Sequence, residues 1–205
     1  IMKGTKYLST KYSIERAPKT NYPANLAKYI STKFFKKKGS LLELGCGRGD
    51  FVEAFYNEGH NVVGSDISPN TPELISPHPC LVVDILSTPL PVEDNTFDFV
   101  FSKSVIEHLN NPMPFLNESL RVLKSGGCAV IMTPSWMHHR WGPFYLDHTH
   151  VTPFTKPSLR EALQMAGFEN VSVLHFYQFP FLWKYPFLKP AIKLFSKIPL
   201  RYKPM

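Results

Sequence analysis

The sequence predicts an α/β fold in which a mostly parallel sheet is covered by helices on both faces. Three observations support this prediction: short apolar runs that do not alternate with polar residues, helix-spaced segments between those runs, and a glycine-rich turn after the first run. Strands alternating with helices are typical of parallel sheets. The chain has 205 residues, of which 43% are hydrophobic, so it can bury one core and is predicted to form a single domain.

Six short apolar runs, each bounded by glycine, proline or polar residues, are predicted strands. They are residues 40–44, 61–65, 80–83, 97–102, 128–132 and 171–176. Four other segments have helical spacing. They are residues 25–38, 50–58 and 112–124, and a helix opened by a capping box at Ser158 and Glu161 and closed by Gly167.

The domain is predicted to consist of a basic helical extension (1–38), a catalytic core (39–176) and a tail (177–205) rich in proline, aromatic residues and lysine. Because proline donates no ladder hydrogen bond, the tail cannot form a central strand, and one short helix at 191–197 is expected within it. The tail could pack on the domain, close over the site, form an interface or touch a membrane. The first residue is Ile rather than Met, which suggests a segment cut from a longer protein.

The net charge of +7 is unevenly distributed. Residues 1–38 carry +9, residues 39–169 carry −8 and residues 170–205 carry +6. A uniformly basic body would favour nucleic acid as a partner. An acidic core between basic ends instead fits solvated tails, a phosphate-bearing substrate or an anionic membrane surface.

The three cysteines, Cys46, Cys80 and Cys128, are far apart and form no CxxC pair. Neither a disulfide framework nor a zinc site follows from them, so we predict reduced thiols in a cytoplasmic protein. No segment resembles a signal peptide or is apolar over the roughly 18 residues that a membrane span needs.

The turn after the first strand contains Gly45, Gly47 and Gly49, which allow the backbone to approach a ligand at the N-terminus of the next helix. Asp66 ends the second strand 21 residues after Gly45, close to the spacing of about 20 expected for an acid that binds ribose hydroxyls. One carboxylate can accept from two vicinal hydroxyls, so an adenosine ligand is predicted. The alternative for Asp66 is a helix cap before Pro69.

The spacing of the glycines favours S-adenosylmethionine (SAM) over a dinucleotide. The turn is GxGxG rather than the GxGxxG that accommodates a pyrophosphate, and Glu43 precedes it. A carboxylate in this position suits the cationic methionine part of SAM and would repel a pyrophosphate.

Five motifs in this order resemble those of class I SAM-dependent methyltransferases. They are ELGCGRGDF, SD at the end of the second strand, VVD, FDFVFSKSVIEHL and LKSGGCAVIMTP, within about residues 40–135. The resemblance implies a Rossmann-like fold with a six- or seven-stranded sheet and SAM as the cofactor, released as S-adenosylhomocysteine. The family usually ends its sheet with an antiparallel seventh strand, where this sequence has only its proline-broken tail.

The resemblance also implies roles for individual residues. The methionine end of SAM would be lined by Glu43, Gly45, Cys46, Gly47 and Gly49. The adenosine end would be held by Asp66, Ile67, Asp84 and Ile85. The sulfonium would be flanked by Ser102 and Lys103, with His108 in the turn below. Asp84 could instead be a loop carboxylate, and His108 a helix-cap or core histidine.

The block at residues 136–155 resembles methyltransferases of glycan and polysaccharide synthesis, which carry an acid–His stretch before a Pro-Phe-Thr helix start. The resemblance implies a sugar hydroxyl as the acceptor, for instance of a deoxyhexose such as rhamnose in a glycan, and fused glycosyltransferase domains as partners. Trp136, Trp141 and Tyr145 suit stacking on sugar rings, although they could equally belong to the core.

A sugar hydroxyl is barely ionised at neutral pH, so a base within hydrogen-bond reach should accelerate transfer by roughly 10²- to 10⁴-fold. The candidates are His150 or His148, oriented by Asp147, and then His139; each could instead be a structural hydrogen-bonding residue. Together with His138, these residues are also metal-ligand types. Adjacent histidines on an extended segment point in opposite directions, so a site without metal is favoured over a divalent ion.

Three competing functions remain at this point. The first is methylation of a small lipid or quinone, which the aromatic tail suits through peripheral membrane contact. The second is methylation of RNA, which the charge of −8 over residues 39–169 argues against. The third is a non-catalytic SAM-binding scaffold, which the nearly complete set of motifs argues against. An NAD-dependent oxidoreductase is disfavoured by the glycine spacing.

Overall fold

The computed structural model describes residues 13, 15–139 and 143–188. Five strands form one sheet within this part of the chain: β1 (Ser40–Leu44), β2 (Asn61–Asp66), β3 (Cys80–Val82), β4 (Phe97–Lys103) and β5 (Leu123–Met132). All neighbouring strands are parallel, and their order is β3-β2-β1-β4-β5. The predicted α/β fold with a mostly parallel sheet is confirmed.

Helices precede, connect and follow the strands. They are α1 (Tyr22–Ile30), a π-helical turn (Ser31–Phe35), α2 (Asp50–Asn57), α3 (Thr71–Ile75), a 3-10 turn (Ile106–His108), α4 (Met113–Arg121), α5 (Trp136–His139), a 3-10 turn (Pro143–Leu146), α6 (Lys156–Met165), α7 (Pro180–Lys184) and a 3-10 turn (Pro186–Leu188). The predicted first helix therefore starts earlier than expected. It also changes to π-helical geometry after Ile30 and ends at Lys36, which has a φ of 61°.

Both faces of the sheet are covered. On one face, Phe35 stacks on Phe99 of β4 with ring centroids 4.2 Å apart, and Phe55 of α2 lies 4.9 Å from Phe101. The opposite face has a larger apolar cluster, whose buried members include Leu42, Leu44, Val100, Phe115, Leu116 and Leu159. Burial on both sides explains why most residues of β1 and β4 are apolar.

The predicted sixth strand is wrong. Residues 171–176 form no strand, although Val173 packs against the apolar cluster and Leu174 is exposed. Alternating burial of this kind arises in any half-buried extended segment, and the ladder partner that would make it a strand is absent among the described residues. The sheet therefore has five strands in the described part of the chain rather than six or seven.

The start of α6 also differs from the prediction. The capping box is formed by Thr155 and Ser158 rather than by Ser158 and Glu161: Thr155 Oγ1 accepts from the Ser158 amide, and Ser158 Oγ accepts from the Thr155 amide. Pro157 lies in the first turn, where a missing amide proton costs nothing, so the helix can begin before it.

The parallel register brings the ends of three strands to one edge. Leu44 of β1 lies beside Ser65 of β2 and Ser102 of β4, so the residues that follow all begin at the same level. The order in which strands are added to the sheet changes direction at β1: β2 and β3 lie on one side of β1, and β4 and β5 lie on the other. In parallel α/β sheets, such a switch point opens a crevice at the carboxyl ends of the strands.

The described residues up to His175 form one compact unit, and those from Phe176 onward belong to a second. In the second unit, Trp183 of α7 packs on Phe176 and donates a hydrogen bond from Nε1 to the Tyr177 carbonyl. The predicted helix at 191–197 lies outside the described residues. Among the described helices, none has the length and apolar character required to cross a membrane.

Candidate functional site

The glycine turn after β1 is held against the end of β2 by backbone hydrogen bonds. The amides of Gly45 and Cys46 both donate to the Ser65 carbonyl, and the Gly49 amide donates to the Cys46 carbonyl. Gly45, Gly47 and Gly49 have φ values of 75°, 54° and 80°, a region that residues with a side chain rarely adopt. The turn therefore requires glycine for its conformation.

Gly45 also needs its lack of a side chain, because a Cβ there would lie 2.2 Å from Cγ2 of Val105. Gly126 is a matched control: it has a similar φ of 73°, but a Cβ would meet nothing within 4 Å. We expect Gly126→Ala to cost about 1–2 kcal/mol of unfolding free energy from its backbone conformation alone. Gly45→Ala should cost about 1–3 kcal/mol more because of the clash. Urea denaturation of the two variants tests this, and equal losses would contradict the close approach.

Asp66, at the end of β2, is joined to the glycine turn. Its Oδ2 accepts a hydrogen bond of 2.8 Å from the Gly47 amide, and its Oδ1 accepts one of 2.9 Å from the Ser68 amide. Asp66 does not cap a helix, because α3 starts only at Thr71 with Asn70 at its N-cap. A carboxylate has about four acceptor positions, so two remain for a ligand.

Two buried carboxyl groups, those of Glu43 and Glu107, interact electrostatically with Lys103 at the end of β4. Glu43 is 3% exposed, and its Oε2 has no hydrogen-bond partner among the described residues. Burial raises the pKa of Glu43 well above its usual range, and the negative charges of Asp50 and Asp66 add to this, while Lys103 opposes it. Burial lowers the pKa of Lys103, and Glu107 and Glu43 oppose that shift. The edge therefore holds mutually interacting charges out of water.

The other predicted cofactor residues differ in how much of their side chain is available. Ile67 is 51% exposed beside Asp66. Asp84 is also exposed, and its Oδ1 accepts from the Leu86 amide. Ile85 packs against the apolar cluster, and the hydroxyl of Ser102 is buried and donates to the Leu44 carbonyl. The side chain of Ser102 therefore joins two strands.

Cys46 faces the protein interior. A hydrogen bond with Cys80, burial and the nearby acids together raise the pKa of the Cys46 thiol. All three cysteines are free. The Cys46 side chain is therefore a neutral structural group, and only the backbone of this residue is left to face a ligand.

A second group of polar side chains lies beyond β4, where Glu107, His108 and His150 come together. One ligand-type atom from each residue lies within 4.8 Å of the other two. His108 Nδ1 contacts the hydroxyl and the carbonyl of Thr149 at 2.9 and 3.2 Å, and His150 Nδ1 contacts the Phe144 carbonyl at 2.7 Å. Since a carbonyl oxygen only accepts, each Nδ1 carries a proton, and in the neutral form of each ring the lone pair is on Nε2.

The arrangement around His150 corrects one prediction. Asp147 does not orient His150 through the imidazole, because the Phe144 carbonyl holds that Nδ1 proton. Asp147 Oδ1 instead accepts from the amide and hydroxyl of Thr149, which in turn accepts from His108. His148 is exposed, and the side chains of His138 and His139 lie outside the described part of the structure.

Glu107 is a site residue that sequence reasoning missed. It is fully buried, its Oε2 accepts a 2.9 Å hydrogen bond from Thr133, and its Oε1 has no hydrogen-bond partner among the described residues. Burial raises the pKa of Glu107, while hydrogen bonds and the charges of His150 and Lys103 oppose this. The sequence feature that could have identified Glu107 is its position next to His108 in FDFVFSKSVIEHL. Its proximity to His150 depends on the fold.

Aromatic rings adjoin His150. Phe144 lies 4.8 Å from the imidazole, and Trp136 and Tyr145 pack edge-on against Phe144 at 5.5 and 5.1 Å. Phe144 is buried, whereas Tyr145 is 59% exposed. Trp141 lies outside the described residues. The cluster thus presents an aromatic face to solvent next to a histidine with an available lone pair.

Comparisons with known proteins identify the family of this chain. The sequence matches the methyltransferase domain family over residues 15–173. An uncharacterized methyltransferase of Mycobacterium leprae (strain Br4923) is 34% identical over 110 residues, which are 51% of this chain and 39% of that relative. The chain therefore spans about two fifths of the length of this curated relative.

Two solved structures show the same fold. A SAM-dependent methyltransferase from Archaeoglobus fulgidus superimposes with a TM-score of 0.59 at 23% identity, over 85% of this chain and 83% of that one. Phosphoethanolamine N-methyltransferase 2 of Haemonchus contortus was solved in complex with S-adenosyl-L-methionine. It superimposes with a TM-score of 0.66 at 19% identity, over 98% of this chain and 53% of that one. Because the family match covers more than half of the sequence, the chain belongs to the methyltransferase domain family, and its cofactor is S-adenosylmethionine.

Proposed function

We propose that this protein transfers the methyl group of SAM to a hydroxyl group of a sugar in a glycan, for instance of a deoxyhexose such as rhamnose. The observation that supports this best is the position of His150. Its Nδ1 contacts the Phe144 carbonyl, which leaves Nε2 as the ring nitrogen that can serve as a base for an acceptor hydroxyl. The buried ring of Phe144 beside it contacts exposed Tyr145, a ring on which a sugar can stack.

The edge of the sheet fits the methionine end of the cofactor. The unpartnered buried oxygen of Glu43 is suited to a cationic donor, because a buried carboxylate without a partner is costly. The glycine turn at Gly45, Gly47 and Gly49 leaves room for the backbone to approach, and Cys46 contributes its main chain only. Ser102 likewise contributes backbone, with Lys103 beside it.

The adenosine end fits the residues after β2 and β3. The two unused acceptor positions of Asp66 match two vicinal ribose hydroxyls. The exposed side chain of Ile67 offers an apolar surface for one face of the adenine. Asp84 and Ile85 follow β3 at the same edge, and we assign to the Asp84 carboxylate a hydrogen bond from the adenine amino group.

The acceptor side is assigned to the second group of polar residues. When bound, SAM supplies a methyl group on a sulfonium, which is a strong leaving group. His150 activates the acceptor hydroxyl through Nε2, in the simplest case by accepting its proton, which is worth roughly 10²- to 10⁴-fold in rate. Asp147, through Thr149, fixes the orientation of His108 next to it. His148, which is exposed, and His139, whose side chain lies outside the described part of the structure, are the remaining candidates for the base.

A lipid or quinone acceptor is the second candidate, favoured by one observation. In the second unit, Phe179, Phe181, Tyr185 and Phe187 are exposed by 54%, 48%, 43% and 73%, next to Lys184. Exposed rings beside a cation are suited to an anionic membrane surface. An RNA acceptor has no comparable support, because residues 39–169 carry a net charge of −8.

The first experiment is calorimetry with SAM and with NAD, followed by methyl-transfer assays on a panel of glycosides. We expect SAM to bind, NAD not to bind, and rhamnosides to be methylated. The matched control is a rhamnoside whose free hydroxyls are already methylated, which should accept nothing. SAM binding without transfer to any glycoside, combined with transfer to a quinol in liposomes, would replace the sugar by the lipid acceptor.

A further inference from the structure

The cluster of Glu107, His108 and His150 has the dimensions of a metal site. Their ligand-type atoms lie within 4.8 Å of one another. Two atoms bound to one cation at about 2.0–2.2 Å each can be no more than about 4.4 Å apart, so shifts of a few tenths of an ångström close the set. Two imidazole nitrogens and one carboxylate oxygen suit a divalent transition metal.

The hydrogen bonds around the two histidines prepare them as ligands. A metal-bound histidine commonly donates its other ring proton to a carbonyl or to a group held by a carboxylate, which fixes the tautomer and the ring orientation. His150 donates to the Phe144 carbonyl, and His108 donates to Thr149, whose hydroxyl is held by Asp147 at 2.6 Å. Both rings therefore have the tautomer whose Nε2 can bind a cation.

Glu107 supplies an independent observation. It is fully buried, yet Oε1 has no hydrogen-bond partner among the described residues. Buried polar atoms in native proteins are nearly always satisfied, and an unsatisfied carboxylate oxygen next to two imidazoles is readily explained by a cation. The other oxygen is held by Thr133, which orients the carboxylate.

We propose that Glu107, His108 and His150 bind one divalent transition-metal cation, with at least one coordination position left for the acceptor oxygen. The catalytic part of this inference rests on the proposed function. The hydroxyl oxygen binds the cation, and its proton passes to solvent. An oxygen electron pair then forms the bond to the methyl carbon, while the electron pair of the broken carbon–sulfur bond stays on sulfur. In the loaded site, Nε2 of His150 acts by holding the cation.

This set differs from the one weighed in the sequence. Asp147 and exposed His148 are not in the cluster, and among the described side chains of the earlier group only His150 belongs to it. The cluster forms because Glu107 and His108 follow β4, while the carbonyl of Glu107 accepts from the amides of Val151 and Thr152. Those two hydrogen bonds bring the segment containing His150 alongside.

The binding test uses Mn²⁺ alone, titrated into the metal-free protein and followed by the EPR signal of the free ion. Mn²⁺ prefers oxygen and imidazole ligands, so the thiols of Cys46 and Cys80 do not compete. We expect one bound equivalent in the unmodified protein. His108→Asn and Glu107→Gln should nearly abolish binding, and Thr149→Val, which keeps all three ligands, should weaken it by about 10- to 100-fold.

The matched control is His78→Asn, which removes a histidine paired with a carboxylate, Glu53, at 2.9 Å outside the cluster. This variant should bind Mn²⁺ as the unmodified protein does. No bound equivalent at millimolar Mn²⁺, or equal binding by all variants, would overturn the proposal. The measurement needs no acceptor, so it is independent of the proposed function.

Turnover tests the catalytic part. Once an acceptor is methylated, EDTA should abolish transfer and Mn²⁺ should restore it, while SAM affinity remains unchanged. Turnover that is insensitive to EDTA and to His108→Asn would overturn activation by a cation and leave His150 as a proton acceptor. Failure to methylate any sugar, with Mn²⁺ still bound by the cluster, would reject the proposed acceptor and support the metal site.

Discussion

Asp66→Ala is expected to weaken SAM binding at least about 100-fold. The variant loses two hydrogen bonds from ribose hydroxyls to a charged acceptor, each worth about 1.5–3 kcal/mol, and every 1.4 kcal/mol is tenfold in affinity. Asp66→Asn keeps one acceptor oxygen and should lose about tenfold. Calorimetry with SAM measures both effects, and unchanged affinity in Asp66→Ala would refute the ribose assignment.

The control for this prediction must separate binding from folding, because Asp66 also accepts from the amides of Gly47 and Ser68. Circular dichroism and urea denaturation should show that Asp66→Ala is still folded. Asp94→Asn is the matched variant: it neutralises an exposed carboxylate paired with Arg121 at 2.6 Å, outside the candidate site. It should bind SAM as the unmodified protein does.

His150→Asn is expected to reduce kcat by roughly 10²- to 10⁴-fold while SAM affinity stays within about twofold. The asparagine amide can still donate to the Phe144 carbonyl in place of Nδ1, so the variant removes mainly Nε2. The loss is expected whether Nε2 accepts the proton or holds a cation. Single-turnover methyl transfer and calorimetry with SAM measure the two quantities separately.

Two further variants serve as a negative control and as a test of the neighbouring histidine. His78→Asn changes a histidine outside both groups and should leave kcat unchanged. His148→Ala tests the exposed neighbour of His150. If His148→Ala loses turnover while His150→Asn retains it, the activating group is His148, and the geometric argument for His150 is wrong.

Much of the fold could be predicted because its signals are local. Glycine is favoured where φ is strongly positive, so three glycines at alternate positions make the turn at Gly45 to Gly49 visible in the chain. The strands β1 and β4 are buried on both faces, which makes most of their residues apolar, including neighbours that face opposite sides of the sheet. The failed prediction at 171–176 has the opposite cause: the apolar pattern reports burial, whereas a strand also needs a neighbour with free hydrogen-bonding groups.

The sequence by itself determined the class of the sheet, the glycine turn and the position of Asp66, because these depend on residue type and spacing within a short stretch. It also indicated SAM, through Glu43 and the ordered motifs. Only the tertiary structure decided which residues meet in the cluster of Glu107, His108 and His150. Glu107 and His150 are more than 40 residues apart, and they meet because backbone hydrogen bonds from Val151 and Thr152 fix one segment on the other. No local pattern encodes that contact, since it depends on how two distant segments pack.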